Sequence, residues 1–589
     1  MANYCAFEER KDFFFEKKKQ KTFTDGGVPR PTGAAPKIQK LFGSFFQKRT
    51  FFLMPKTHHY HRETAAKHFD SVFYRTTNPD IAAAGIDPLD HFLQHGYREG
   101  RNPNAGFDVA YYLAANPDVA ENGINPLVHY ILSGEREGRL PRRPLHEARR
   151  VLEACVPVRE KARAWAHAAD HALPMPKAAL EAALQGLAGR AGVVLSVSHD
   201  DYVYSCGGVQ LLIADEQRAF AAGGWSMLHC SPAAPVPMLA DPLPADACRI
   251  RLRLDGTALG VARMQDLCDV IGAWRDRLQC LNMVIHHLMG HAPETLSDLV
   301  ACVGHRPLVW IHDHFTLCPS YALMRNDVQF CHAPPAGSNA CRICVYGPDR
   351  PAHRARVEVF FARTRPFVVA PSRSALDFWR ARAGLPHAGA AVLAPARLLL
   401  HTATPEETGG PLRIAHAGAR LFHKGWHVFV DLAQAFARDA RYAFIHLGLD
   451  EGPALPGCIA HVPVRVTPED RHAMVEAVAE HRIDVVVNFA LWPETFCFAV
   501  HEALAGGAFV IARRAAGNVW PAVQQNAPGR GCAVDDEAGL HALLASGAII
   551  ESVGRSSRCR GALLLGGNSA DWFGCGAAAP GAPVAVTHG

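Results

Sequence analysis

From residue 192 onward, short apolar runs alternate with helical patterns in two successive series. The first series places strands at Val193–Val197, Ser226–Cys230, Asn282–His286, Leu308–His312 and Phe367–Ala370. The second places them at Leu412–Ala417, Tyr442–Leu447, Val485–Phe489 and Phe509–Ala512. Runs this short are of strand length, and alternation with helices predicts parallel sheets covered on both faces. A Gly/Pro/Thr-rich stretch, His401 to Pro411, separates the series. The predicted fold class is α/β. Two Rossmann-like doubly wound domains span 192–400 and 411–545, with the ligand cleft between them.

Upstream the pattern changes. Residues 69–141 hold a tandem repeat with an offset of 38. Phe69-Asp70 recurs as Phe107-Asp108, Asn78-Pro79-Asp80 as Asn116-Pro117-Asp118, and Glu99-Gly100-Arg101 as Glu137-Gly138-Arg139. Pro opening and Gly closing the short runs predict two helices per unit. Such units bury their faces by stacking, which makes a small all-α docking module. His91 recurs as His129. An equivalent packed position explains that pair better than a ligand site does. Residues 142–190 read as a helical linker.

Residues 1–60 are rich in Lys and Phe, and Ile38–Arg49 is basic and aromatic. That composition suits a disordered tail, with peripheral contact to an anionic inner-membrane surface as the alternative. After about residue 545 the composition predicts disorder and no amphipathic helix, so 546–589 reads as a disordered or truncated tail.

Bulk properties narrow the class. A chain of 589 residues has room for about three domains. A net charge of +5 gives no case for nucleic acid. No apolar run reaches the ~18 residues of a membrane span. Met1 to Gln20 lacks the apolar core of a signal peptide. Seventeen scattered cysteines fit a reducing cytoplasm better than a disulfide framework.

The sharpest chemical signal is Glu494 and Glu502, eight positions apart between the last two apolar runs. Glu494 falls in the loop after a strand and Glu502 about two turns along the following helix. A helix start beside a strand end is where α/β folds hold phosphorylated ligands. Gly418, Arg420 and Lys424 stand between a strand and a helix, as a diphosphate clamp would. Gly207 and Gly208 stand likewise after the first strand of the first domain, where a backbone can approach a ligand. His312 ends a strand and points toward the cleft, and His286-His287 ends the preceding one. Cys318, Cys331, Cys341 and Cys344 include a C-x2-C pair, so a structural zinc is weighed against reduced cysteines.

The Glu494–Glu502 stretch resembles the E-x7-E signature of retaining glycosyltransferases of the GT-B fold, in particular glycosyltransferase family 4. The resemblance implies that Glu494 faces the transferred sugar and Glu502 the ribose. It gives Arg420 and Lys424 the donor diphosphate, and His312 a sugar hydroxyl or phosphate. Gly207-Gly208 corresponds to the family's glycine loop. Cys497 departs from the pattern, which often has Gly three residues after the first Glu. The implied reaction is hexosyl transfer from a nucleotide-diphosphate sugar to a glycan or lipid-linked acceptor. It requires no cofactor for catalysis, and His312, Lys424 and Glu494 carry it. The helical repeats resemble those attached to some bacterial polysaccharide-synthesis enzymes. The competing reading is a non-catalytic GT-B-like scaffold that docks a polysaccharide-assembly complex.

Overall fold

The computed structural model describes residues 61–575, apart from 105, 138, 140, 143–145, 168, 170–171, 206, 235, 245–247, 402–408, 452–453 and 557. The tail 1–60, with its basic segment, and the last residues of the expected C-terminal tail, 576–589, lie outside them. The described residues form two compact units that divide near residue 146.

The smaller unit holds the repeats. Each copy has three short helices and a closing π-turn. The first copy runs through Ser71–Thr77, Pro79–Ala84, Pro88–His91 and Phe92–Gly96. The second runs through Val109–Ala115, Pro117–Glu121, Pro126–His129 and Tyr130–Gly134. The break after Thr77 comes from Pro79, which starts a new helix rather than continuing the old one. Thus each unit has one helix more than the spacing predicts. Tyr74 and His91 share a hydrogen bond of 2.9 Å, and Tyr112 and His129 repeat it at 2.9 Å.

The larger unit contains two lobes. The N-terminal lobe is built on β1 (Gly192–Val197), β2 (Trp225–Pro232), β3 (Arg249–Leu254), β4 (Thr257–Arg263), β5 (Leu281–Ile285) and β6 (Leu308–Trp310). A small hairpin, β7 (Met324–Arg325) and β8 (Gln329–Phe330), precedes β9 (Phe367–Ala370) and β10 (Gly389–Val392). Eight strands form one sheet in the order β10-β9-β6-β5-β1-β2-β3-β4. It is parallel except for the β3–β4 edge. β1 and β2 are buried along their whole length, as strands covered on both faces must be.

After β11 (Ala396–Leu400) the second lobe follows: β12 (Leu412–Ala417), β13 (Tyr442–Gly448), β14 (Ile459–Pro463), β15 (Val485–Asn488), β16 (Phe509–Arg513) and β17 (Gly531–Val534). These six are parallel, in the order β14-β13-β12-β15-β16-β17. The architecture is α/β, two Rossmann-like doubly wound lobes preceded in sequence by a helical module.

The stretch from 546 to 575 is not structureless. It forms a helix, Ala548–Arg555, then β18 (Gly561–Leu565), then a turn of helix, Ser569–Trp572. β18 pairs antiparallel with β11, and Ala570 and Cys575 are buried in the N-terminal lobe with Phe220. These contacts are far apart in sequence, so local composition does not reveal them. One local sign was available: Asn568 and Asp571 form a capping box.

Candidate active site

In the second lobe the strand order reverses between β12 and β15, and ligands of open α/β sheets bind at such a switch point. The loop after β12 carries Gly418, Arg420 and Lys424. The loop after β15 carries Glu494. Because β12 and β15 are hydrogen-bonded neighbours, the two loops meet. Lys424 Nζ donates to Glu494 Oε1 at 2.6 Å, and Trp492 Nε1 donates to the same oxygen at 2.8 Å. The ammonium also lies 4.9 Å from the centre of the Trp492 ring. Glu494 is 6% exposed, so its charge is held by these two donors rather than by water.

Two glycines shape these loops. Gly517 has φ +64, and a Cβ there would lie 2.5 Å from the Glu494 carbonyl oxygen. That close approach lets Asn518 N donate to Glu494 O at 2.8 Å, which fixes the Glu494 backbone. Gly425 has φ +80 and opens the Trp426–Ala435 helix, with its Cβ position 2.1 Å from Phe489 O. The Arg420 guanidinium lies 4.0 Å from exposed Asp450.

Glu502 lies on the Phe498–Ala505 helix, buried. Burial pushes its carboxyl up to about 7, with Arg471 acting against the rise. Cys497 caps this helix at φ 65, a left-handed conformation that glycine adopts without strain. Asn488 Nδ2 donates to its Sγ at 3.1 Å, and burial pushes the thiol up to about 12.

The first lobe meets this region at its own switch point, between β1 and β5. Gly208 opens the Gly208–Ala222 helix, and a Cβ there would lie 3.1 Å from the Phe498 ring. Gly207, in extended backbone, precedes it. His312 lies two residues beyond β6. Its ring stacks on Trp310 at 5.0 Å and on His286 at 5.4 Å. Burial and neighbouring His286 hold the His312 imidazole neutral, its pKa well below the ordinary value.

A set of hydrogen bonds joins the lobes at this point. Thr495 Oγ1 donates to His312 O at 2.6 Å, and Ser372 Oγ donates to Thr495 O at 2.5 Å. His314 Nε2 lies 3.3 Å from Pro493 O. Arg471 of the second lobe reaches Asp215 of the first at 3.1 Å. The structure therefore gathers Gly208, His312, Lys424, Glu494 and Glu502 along one seam.

Among the described residues no group of three or more His, Cys, Asp or Glu side chains could hold a metal. Cys341 Sγ instead accepts from Arg350 Nη1 at 3.0 Å. Burial pushes the Cys318 thiol up to about 12, and Cys331 is raised by the same cause.

Sequence reasoning missed Trp492, Arg471, Asp215 and Glu216. Trp492 stood two residues before Glu494 and was readable as a neighbour. The others gain their roles from contacts between elements far apart in the chain.

No family model and no curated protein matches the sequence. Similar solved structures include sucrose-phosphate synthase from Thermosynechococcus elongatus, 14% identical, with a TM-score of 0.40, covering 62% of this chain and 93% of that one. A glycosyltransferase from Rickettsia africae is 12% identical, with a TM-score of 0.39, covering 62% and 91%. Anabaena HepE, in complex with UDP and glucose, is 12% identical, with a TM-score of 0.37, covering 62% and 92%. No helix among the described residues is long and apolar enough to cross a membrane.

Proposed function

We propose that the protein is a retaining glycosyltransferase that moves a hexosyl group from a nucleotide-diphosphate sugar to a glycan or lipid-linked acceptor. The observation that carries this reading is the ion pair between half-buried Lys424 and buried Glu494 at a sheet switch point, with buried Glu502 eight positions further on. On this reading Glu494 orients the transferred sugar. Lys424 turns from Glu494 to the diphosphate as negative charge grows on the leaving group, where a fixed cation acts most strongly. Arg420 closes on the diphosphate from its position near Asp450. Glu502 binds the ribose hydroxyls, and neutral His312 meets a sugar hydroxyl. Gly207 and Gly208 give the ligand close access to backbone N–H groups. The repeat resemblance supports a setting in bacterial surface polysaccharide synthesis, in the cytoplasm.

A thermal-shift panel of UDP, GDP, ADP, TDP and CMP tests this, with Glu502→Ala beside the wild type. A ligand that binds only the folded form raises the midpoint. One nucleoside diphosphate that shifts the wild type and not the variant supports the reading and names the donor class. No shift with any of the panel refutes it.

Cys497 favours a second reading, the non-catalytic docking scaffold. Its side chain stands at the helix start where the diphosphate would lie. Nucleotide binding without turnover is the outcome that reading expects.

A further inference from the structure

Glu216 sits inside the Gly208–Ala222 helix of the first lobe, fully buried, and the reading above leaves it unused. An ionised carboxylate in that position needs donors on both oxygens. Oε1 accepts from Ser569 N at 2.8 Å and from Ser569 Oγ at 2.5 Å. Ser569 belongs to the C-terminal turn that crosses back to this lobe. Its hydroxyl accepts from Trp310 Nε1 at 2.9 Å, so its one hydrogen is committed to Glu216. Oε2 lies 3.0 Å from His286 Nε2. That contact is ion-pair close without an aligned N–H, and neither atom has another partner. On the far side of the ring, His286 Nδ1 lies 3.2 Å from His312 Nε2. The His286 and His312 rings are stacked 12° from parallel, and Trp310 stacks on both.

This chain has a direction. A carboxylate with Oε1 committed to Ser569 offers only an acceptor at Oε2, so Nε2 of His286 must carry hydrogen. A neutral His286 then has a lone pair at Nδ1. His312 must donate to it from Nε2, and that leaves Nδ1 of His312 as a lone pair.

We propose that Glu216 and His286 are positioning residues: they set the tautomer of His312 so that its Nδ1 accepts a hydrogen bond from a hydroxyl of the donor sugar. Ser569 completes the device by holding the carboxylate, so the crossing C-terminal segment serves the site as well as the fold. The inference deepens the glycosyl-transfer reading and rests on it for the identity of the hydroxyl.

Glu216→Gln tests the direction without changing shape. The two Ser569 donors keep the amide oxygen at the Oε1 position, which turns the amide NH2 toward His286. A donor there demands a lone pair at Nε2, and the whole chain inverts. Nitrogen-15 NMR on histidine-labelled protein reads which ring nitrogen carries hydrogen, and His312→Gln and His286→Gln identify the two signals among the 32 histidines. The expected wild-type result is hydrogen on Nε2 of both rings. In Glu216→Gln it moves to Nδ1 of both. Hydrogen on Nδ1 of His312 in the wild type overturns the proposal even if the variant does not fold. So does a folded variant with unchanged tautomers. Where turnover is measurable, kcat of Glu216→Gln falls by up to about 10-fold with donor KM within about twofold, no more than the loss of the His312 hydrogen bond itself. The tautomer measurement needs no substrate. Correct tautomers in a protein that binds no nucleotide sugar would overturn the functional reading alone. Turnover with the opposite tautomers would overturn the relay alone.

Discussion

Where the first lobe meets the seam, its polar side chains are tied into fixed hydrogen bonds, ring contacts and ion pairs. His312 and His286 stack on Trp310, Glu216 is held by Ser569 and His286, and Asp215 is paired with Arg218 and Arg471. Where the second lobe meets it, the groups are Lys424, Glu494 and a strained carboxyl, Glu502. Both lobes have the same doubly wound plan, and both present strand ends and helix starts to the seam. The difference lies in what stands at those ends. The first lobe offers hydrogen bonds of fixed direction, which can orient a substrate without adding charge. The second offers charge that a ligand can redistribute. Charge that grows during a reaction would therefore be met by the second lobe, and shape and orientation by the first.

The largest expected effect tests that division directly. Lys424→Ala should lower turnover by roughly 100-fold or more, as loss of one preorganised stabilising group does. His312→Gln should cost only about 10-fold, since it removes one neutral hydrogen bond. Steady-state kinetics on both variants decide. Equal losses would break the comparison, and an unimpaired Lys424→Ala would remove the assignment of the lysine.

Much of this plan was readable in the chain, and the unread parts have physical reasons. The central strands β1, β5, β12, β15 and β16 announced themselves because buried parallel strands are nearly continuous apolar runs. The edge strands did not. β3 alternates Arg with Ile and Leu, a half-buried pattern that a search for continuous runs passes over. β17 and β18 are short and rich in small residues or depend on distant partners. In the site, the types of residue and the loops that hold them were legible, since helix starts after strands leave local marks. Their pairings were not. Lys424 meets Glu494 because β12 and β15 are neighbours, and the Arg420 guanidinium lies near Asp450. Glu216 looked like an ordinary helix residue until the C-terminal turn packed over it.

The next effect in size belongs to Glu502. Its carboxyl titrates at about 7 in the folded protein against an ordinary 4.5. Below the ordinary value it is neutral whether folded or unfolded, and burial costs nothing electrostatic. As the pH rises toward and through 7, the unfolded chain ionises first, and stability is lost. Glu502→Gln does not titrate. Its stability relative to wild type should therefore grow between pH 5 and pH 8, by on the order of 2 kcal/mol. Urea unfolding at both pH values measures it, and a difference independent of pH would show that the wild-type carboxyl is ionised at no cost. No first-lobe residue at the seam should behave in this way if the comparison holds.

A smaller effect tests the fixed hydrogen bonds that join the lobes. Thr495→Val keeps the shape and removes the bond to the His312 carbonyl. It should lower unfolding stability by about 1 kcal/mol. The same variant should leave the pH response of Glu502 intact, because the lost bond runs from Thr495 to the His312 carbonyl and does not involve the Glu502 carboxyl. A pH response altered by Thr495→Val would mean that the two lobes do not divide orientation and charge as described.

The smallest expected effect concerns Cys497, the position where the second lobe departs from an unhindered helix start. Its φ of 65 costs a side-chain-bearing residue about 1–2 kcal/mol, and Gly relieves that strain. Gly also gives up the contact with Asn488 and adds freedom to the unfolded chain, so the two effects nearly cancel in stability. Binding is different. Removing the side chain opens the N-terminus of the Phe498–Ala505 helix, whose free N–H groups favour an anion. Cys497→Gly should therefore change the melting point little and tighten the preferred nucleoside diphosphate by a few-fold, about 1 kcal/mol at most. Titration calorimetry on both proteins measures it. Tighter binding together with faster turnover would mark Cys497 as a restraint on a working catalyst. Tighter binding without turnover would place the chemistry outside this protein and favour the docking scaffold. Unchanged affinity would show that the diphosphate does not approach this helix start, and that the charge of the second lobe serves some other ligand.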